Sequence, residues 1–227
     1  MVVDNKRSLE WKLADEKDLK NAFYEDHRQR LQKLGYGIPT PHQIFSLLID
    51  YQKGELDPKL EKVAKTFMAY GAYDFGFFSN MAFRRTGPKL TFYEYAHSLQ
   101  WDKSLEEYYT VSETTWFLAA HQFILDGLDW KGDLTHLHFM NQYNPGLVDF
   151  LFQKPLEALP AAWKEPVSAK DSMMFLVPQQ SGLNVLGVWY HGEQRRSTKG
   201  YEVEGFWSIE PHVVGKVQGV RSFRVDR

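Results

Sequence analysis

The sequence predicts an α+β fold, with a bundle of about five to six helices over residues 1–155 and an antiparallel sheet of about four strands over residues 170–227. Apolar residues recur at helical spacing, with helix-start signals, up to about Phe152. Beyond Asp171, β-branched and aromatic residues alternate with a period of two. The proline-rich stretch QKPLEALPAAWKEP separates the two patterns. We expect both parts to form one continuous globular unit.

The composition provides ample material for a hydrophobic core. The 227 residues are 43% hydrophobic and 15% aromatic, and the net charge is −2. This balance disfavours disorder and a dedicated nucleic-acid coat protein. The absence of cysteine excludes disulfides, thiolate metal sites and thiol nucleophiles. The charged start MVVDNKRSLEWKLADEKDLK and the lack of a long apolar run predict no signal peptide, no membrane span and a cytoplasmic protein.

Helix caps place the predicted helices in order. The first spans residues 16–34 and ends at Gly35. Thr40, Pro41 and Gln43 form the capping-box pattern of the second. The later signals are Asp57–Pro58 for a helix reaching Met81, Thr91 with Glu94, Ser104 with Glu107 for a helix to about Leu125, and Pro145 for residues 146–152.

Four segments predict the strands of the sheet: MMFLV, LNVLGVWYH, YEVEGFWSIE and VRSFRV. In the third segment, Tyr201, Val203, Gly205, Trp207 and Ile209 alternate with polar residues and Phe206, which indicates a strand with one wet face. The loop GEQRRSTKG joins the second and third strands as a hairpin. Its Arg195, Arg196 and Lys199 are candidates for contacting phosphates or nucleic acid, although a solvated hairpin tip is the commoner explanation for such residues.

Two histidines one position apart, His136 and His138, lie in the stretch GDLTHLHFMNQYNP. On a strand, both imidazoles would face one side and could share a divalent metal. Over residues 136–140 the pattern resembles nicking and replication-initiator enzymes of the HUH class, in which a tyrosine, here Tyr143, attacks a phosphodiester. That fold needs the pair on a central strand, whereas here it falls between predicted helices. We therefore expect a helix–loop junction and keep the metal-dependent enzyme as an alternative.

Glu94 and His97 have the spacing of metal-binding residues in di-iron helical bundles. A complete site needs further ligands, for which His121 is a candidate. The alternative is that Glu94 serves only as the acid of a helix cap.

The segment FMAYGAYDFGFFSNMAFRR places small residues in a helix otherwise crowded with aromatic ones. Gly71 and Gly76 predict either close packing against another backbone or a ligand pocket beside them. Asp74 needs a partner if it is buried in this apolar surrounding.

No complete catalytic motif is present, and the preferred hypothesis is a non-enzymatic interaction or structural subunit. It would use an aromatic-rich helical surface and the basic hairpin to contact another protein or a second copy. The alternatives are the enzyme that acts on nucleic acid or phosphate esters through His136 and His138, and a small-molecule or metal pocket around Glu94 and His97. A divalent metal is the cofactor that both alternatives allow.

Overall fold

The computed structural model describes residues 1–68, 76–94, 99–104, 107–110, 120–124, 134–136, 144–165, 171–176, 182–197, 200–212 and 214–223. Its helices are α1 (Tyr24–Lys33), α2 (Pro41–Gln52), α3 (Pro58–Thr66), α4 (Pro145–Phe152) and α5 (Ala161–Lys164), with a 3₁₀ turn at Leu156–Ala158. None of these helices is long and apolar enough to cross a membrane.

The helix starts at Thr40 and Asp57 are confirmed. The Thr40 side chain accepts a hydrogen bond from the Gln43 N–H, and the Gln43 side chain accepts one from the Thr40 N–H. Asp57 accepts from the N–H groups of Lys59 and Leu60. These bonds satisfy backbone donors that the first turn of a helix cannot pair internally.

The described strands are β1 (Val2–Asp4), β2 (Leu9–Trp11), β3 (Ala22–Phe23), β4 (Phe77–Thr86), β5 (Lys89–Glu94), β6 (Leu99–Asp102), β7 (Glu107–Thr110), β8 (Ala120–Ile124), β9 (Leu134–His136), β10 (Met173–Leu176), β11 (Leu183–Ser197), β12 (Gly200–His212), β13 (Val214–Gly215) and β14 (Val220–Ser222). The main sheet has the order β8-β5-β4-β11-β12-β10-β9, and β7, which pairs with β6, also pairs with β11. The sheet is mixed because β10 runs parallel to β12. Two small sheets, β1-β2-β14 and β13-β3, are also present.

The prediction of an N-terminal helical bundle followed by a four-stranded antiparallel sheet is wrong. Helix α3 ends at Thr66, and the predicted continuation towards Met81 is strand β4 from Phe77 onwards. The predicted cap at Thr91 lies within β5, and the one at Ser104 follows the end of β6. The segment predicted as a helix up to Leu125 contains the strands β7 and β8. The expected hairpin between β11 and β12 is confirmed, with pairing as far as Ser197 opposite Gly200.

Burial on both faces of β4 explains the error. Phe77, Met81 and Phe83 belong to one hydrophobic cluster, and Phe78 and Ala82 belong to the other. A strand that buries both faces shows no alternation of polar and apolar residues. Its aromatic and methionine side chains therefore imitate the spacing of a buried helix.

The main sheet separates the two hydrophobic clusters. Helices α2, α3 and α4 pack in the larger one, with residues such as Leu186, Val188 and Ile209 of the sheet. Helix α1 packs in the smaller one through Tyr24 and Leu31. The start of α2, the end of α4 and the strands β4 and β5 meet at a cleft.

Candidate functional site

A cleft with a volume of about 300 Å³ opens at the start of α2, and we call it the α2 cleft. It is lined by Thr40, Pro41, His42, Gln43, Asn80, Met81, Glu94 and Gln153. These residues come from the first turn of α2, from β4, from the end of β5 and from the C-terminal cap of α4. The cleft is therefore lined by segments that are distant in the sequence.

Two backbone features fix the shape of the cleft. The Asn80 N–H donates to the Pro39 carbonyl at 2.7 Å, which ties β4 to the chain just before α2. Gln153 ends α4 in the left-handed conformation with φ 51°. That conformation is uncommon for a residue other than glycine, asparagine or aspartate, so tertiary packing holds it in place.

Glu94 forms an ion pair or hydrogen bond with His121, whose Nε2 lies 3.2 Å from the carboxylate Oε1. The two residues come together because β5 and β8 pair antiparallel, with Phe92 opposite His121. The His121 ring also packs against Phe150 of α4, with ring centroids 4.5 Å apart. Of the candidate metal ligands, Glu94 and His121 are thus brought into contact, on strands rather than on helices.

His42 is held as a neutral ring with a defined tautomer. Its Nδ1 lies 3.2 Å from the Leu151 carbonyl oxygen, which can only accept, so Nδ1 carries the proton. Burial lowers the pKa of His42, against the opposing effect of that hydrogen bond and of Glu94. In the described part of the chain, Nε2 has no hydrogen-bond partner, and in the neutral ring it is an acceptor.

Asn80 is oriented by Tyr24, whose hydroxyl donates to Asn80 Oδ1 at 3.0 Å. Burial raises the pKa of Tyr24, so this phenol stays protonated and remains the donor. Because Oδ1 accepts this bond, the Asn80 amide presents Nδ2 as a donor to any further partner.

A second group of polar residues, the hairpin cluster, lies on β11 and β12 and comprises His191, Ser208, Glu210 and His212. His191 Nε2 lies 2.7 Å from Ser208 Oγ and 3.7 Å from Glu210 Oε2. The other Glu210 oxygen lies 3.8 Å from His212 Nε2. The His191 ring stacks on Phe206 and packs on Trp189, with centroids 4.6 and 4.1 Å away.

Two glycines make room for His212. A Cβ at Gly187 would lie 1.8 Å from His212 Cδ2, and one at Gly76 would lie 2.5 Å from His212 Nε2. His212 is 3% exposed, and its Nε2 has no partner within hydrogen-bonding distance among the described residues. Burial lowers the pKa of His212 to about 4, because the charged ring would lose its hydration.

The hairpin cluster is not a serine nucleophile with its acid–base partners. In such a site the acid holds the histidine nitrogen that does not face the serine. Here Ser208 and Glu210 both face Nε2 of His191. Ser208 is also fully buried and out of reach of a substrate. The cluster is therefore part of the packed sheet.

The buried neutral state of His212 predicts an acid-sensitive fold. The unfolded chain binds a proton at His212 below about pH 6.5, whereas the folded chain binds it only near pH 4. Stability should therefore fall as the pH is lowered through this window, by about 2 kcal/mol at pH 5 from this group alone. Urea unfolding between pH 7 and pH 5 measures the loss.

His27 and His42 also have pKa values lowered by burial and add in the same direction, so a variant must isolate His212. His212→Gln should flatten the pH dependence. An imidazole NMR titration midpoint for His212 near 6.5 would contradict the prediction.

The structure changes the interpretation of several predicted site residues. Gly76 does not lie in a helix: it directly precedes β4, and its close neighbour is His212. His136 ends β9 at one end of the described strand order, opposite Met174, rather than between helices or on a central strand. Arg195 and Arg196 lie in β11 opposite Glu202 and Tyr201.

The candidates Gly71, Asp74, His97, His138, Tyr143 and Lys199 lie outside the described residues. The shared metal of His136 and His138 therefore stays a prediction. Within the described ranges, no group of three or more histidine, aspartate or glutamate residues is arranged to hold a metal ion.

Sequence reasoning missed His42, Asn80 and the hairpin cluster. A signal was present for the cluster, because Phe206, Ser208, Glu210 and His212 alternate along one strand and so share one face. No such signal existed for His42 and Asn80, which are brought together by the packing of α2 against β4.

The described elements define an α+β protein with a mixed main sheet and a polar cleft beside it. Comparison with protein-family models, curated proteins and solved structures finds no match.

Proposed function

We propose that this protein binds a small organic molecule in the α2 cleft. The observation that carries the proposal is a cleft of about 300 Å³ whose lining includes a carboxylate, an imidazole and an amide from three separate elements. These groups belong to Glu94 of β5, His42 of α2 and Asn80 of β4. Small-molecule sites have volumes of about 300–1,000 Å³ and combine apolar walls with a few placed polar groups. Pro41 and Met81 supply apolar wall, and Glu94, His42 and Asn80 supply the polar groups.

The polar groups are held before any ligand arrives. His42 is fixed by Leu151, Asn80 by Tyr24 and Glu94 by His121. Side chains that are already ordered lose little conformational freedom on binding, so more of the contact energy appears as affinity. This supports recognition of a defined small molecule rather than incidental space between helices.

A fragment library screened by NMR tests the proposal. Binding fragments should shift the signals of His42, Asn80 and Glu94 more than those of residues elsewhere. His42→Trp should fill the cleft with its larger ring and remove binding, with Kd weakened by at least about tenfold, which corresponds to about 1.4 kcal/mol.

The matched control is Lys59→Trp, which adds the same ring at an exposed position of α3 outside the cleft. It should bind fragments as the parent protein does. A library without any fragment that shifts the cleft residues, or equal binding by both tryptophan variants, contradicts the proposal.

The second proposal is that the protein is a non-enzymatic interaction or structural subunit. Its partner would be another protein, a second copy or nucleic acid. The large exposed hydrophobic residues in the described ranges are Met1, Val3, Leu13, Leu34 and Ile124. None of them is aromatic. Of the aromatic residues in the described helices, Tyr24, Phe45, Phe152 and Trp163 are buried, and Tyr51 and Phe150 are half-buried. The cleft therefore has the stronger support. A cytoplasmic location likewise rests on the sequence alone.

A further inference from the structure

We infer that the ligand of the α2 cleft is a small organic cation that carries N–H donors, such as a primary ammonium, amidinium or guanidinium group. This inference rests on the proposed function and adds the chemical class of the ligand. It follows from the charge of the lining and from which atoms of the lining are still able to form hydrogen bonds.

The charge of the lining is negative. Among the described residues of the lining, Glu94 is the only carboxylate, and none is lysine or arginine. An anionic ligand would meet the Glu94 carboxylate with no lysine or arginine among the described lining residues to compensate it. A cation, in contrast, gains a charge-assisted hydrogen bond, which is about twice as strong as a neutral one.

The hydrogen-bonding pattern also selects for donors. Two acceptors belong to the fixed side chains, the Glu94 carboxylate and Nε2 of His42, since the other nitrogen of His42 donates to Leu151. The Gln153 amide oxygen is a further acceptor, and the side chains of Thr40, Gln43 and Gln153 also carry donors. The Asn80 amide offers one donor, Nδ2, because its oxygen already accepts from Tyr24. A nitrogen cation with two or more N–H groups satisfies both fixed acceptors, whereas a single hydroxyl satisfies only one.

His121 holds the Glu94 carboxylate in place. Its Nε2 contacts Glu94 at 3.2 Å, and its side chain is 43% exposed. The Glu94 carboxylate keeps further lone pairs that can accept from a cation.

A matched series of four-carbon probes tests the inference on the full chain: butylammonium, butylguanidinium, butan-1-ol and butyrate. The probes share the same alkyl chain and differ in charge and donor count. NMR titration at pH 7 follows the His42 ring and the Asn80 amide. We expect the two cations to bind at least about tenfold more tightly than butan-1-ol, and butyrate to bind most weakly.

Glu94→Gln keeps the size and a hydrogen-bonding oxygen but removes the charge. It should weaken butylguanidinium binding by about tenfold and leave butan-1-ol binding within about twofold. Glu165→Gln removes an equal charge at an exposed residue next to α5 and should change neither. If Glu94→Gln fails to fold, the parent protein alone answers, because the order of its affinities for the four probes already separates a preference for cations from one for neutral or anionic ligands.

The outcomes separate the ligand class from the function. Butan-1-ol or butyrate binding the cleft as tightly as the cations overturns the cation inference and leaves the cleft as a binding site. Failure of both the four probes and the wider fragment library to shift any cleft residue overturns the proposed function and the inference with it.

Discussion

Replacing Arg7 with methionine should destabilise the protein by about 3–5 kcal/mol, the cost of leaving buried charge without its partner. The Arg7 side chain is only 8% exposed and contacts the carboxylates of Asp4 and Asp50, which are 0% and 5% exposed. It also donates to Ser46 Oγ at 3.0 Å and to the Ser46 carbonyl at 2.8 Å. The contacts join the turn between β1 and β2 to the middle of α2.

In Arg7→Met, the carboxylates of Asp4 and Asp50 would keep different hydrogen-bond partners. Burial acts to raise the pKa of Asp50, but contacts with Lys6 and Arg7 outweigh it and the pKa is lowered. In Arg7→Met, Lys6 still donates to Asp50 at 2.8 Å. Asp4 keeps only a long hydrogen bond of 3.4 Å from Trp11 Nε1 and one of 3.2 Å from the backbone N–H of residue 7. Asp4 should therefore carry most of the cost.

Urea unfolding at pH 7 measures this effect, and Arg221→Met is the matched control. Arg221 pairs with Glu10 on the surface, where its side chain is 45% exposed, and the change should cost less than about 1 kcal/mol. A triple variant, Arg7→Met with Asp4→Asn and Asp50→Asn, should recover part of the loss because no uncompensated charge remains. A loss below about 1 kcal/mol in Arg7→Met would show that water or Lys6 replaces the guanidinium.

Gly187→Ala should cost at least about 3 kcal/mol, the upper range for overpacking a core. The added Cβ would lie 1.8 Å from Cδ2 and 2.6 Å from Nε2 of the buried His212 ring. Neither the backbone of β11 nor the His212 ring can move easily. Gly187 is paired with Glu210 in the sheet, and the ring lies against Gly76 and Phe78. Thermal and urea unfolding measure the change.

A double variant identifies the cause. His212→Ala removes the ring and leaves a cavity, and adding Gly187→Ala to it should then cost less than about 1 kcal/mol, giving a coupling energy of at least about 2 kcal/mol. Gly37→Ala serves as control, because its Cβ would meet nothing nearer than 3.8 Å. Additive losses in the double variant would mean that the glycine is needed for another reason.

Short-range features of the fold were predictable from sequence. The caps at Thr40 and Asp57 involve residues within three positions of each other, and the β11–β12 hairpin joins strands that are neighbours in the chain. The alternation along β12 was also visible, but the face predicted to be wet is buried at Ser208 and Glu210, and its histidine and glutamate were not recognised as a cluster. In each case the residues that interact are those that a short window of sequence contains.

Pairing between distant segments was not predictable in this way. Strand β4 pairs with β11, so that Ala82 lies opposite Val185, and both faces of β4 are buried between clusters that include α1 on one side and α2 on the other. Sequence spacing alone cannot distinguish such a strand from a buried helix. The predicted helical bundle failed for this reason.

The candidate site shows the same division. Glu94 and His121 could be named from their chemistry, and the cysteine-free composition already removed thiolate sites from consideration. Their contact depends on the register of β5 with β8, and the cleft depends on the approach of α2 to β4 and α4. Local hydrogen-bonding preferences act over a few residues, whereas the register of strands and the packing of helices depend on burial throughout the chain.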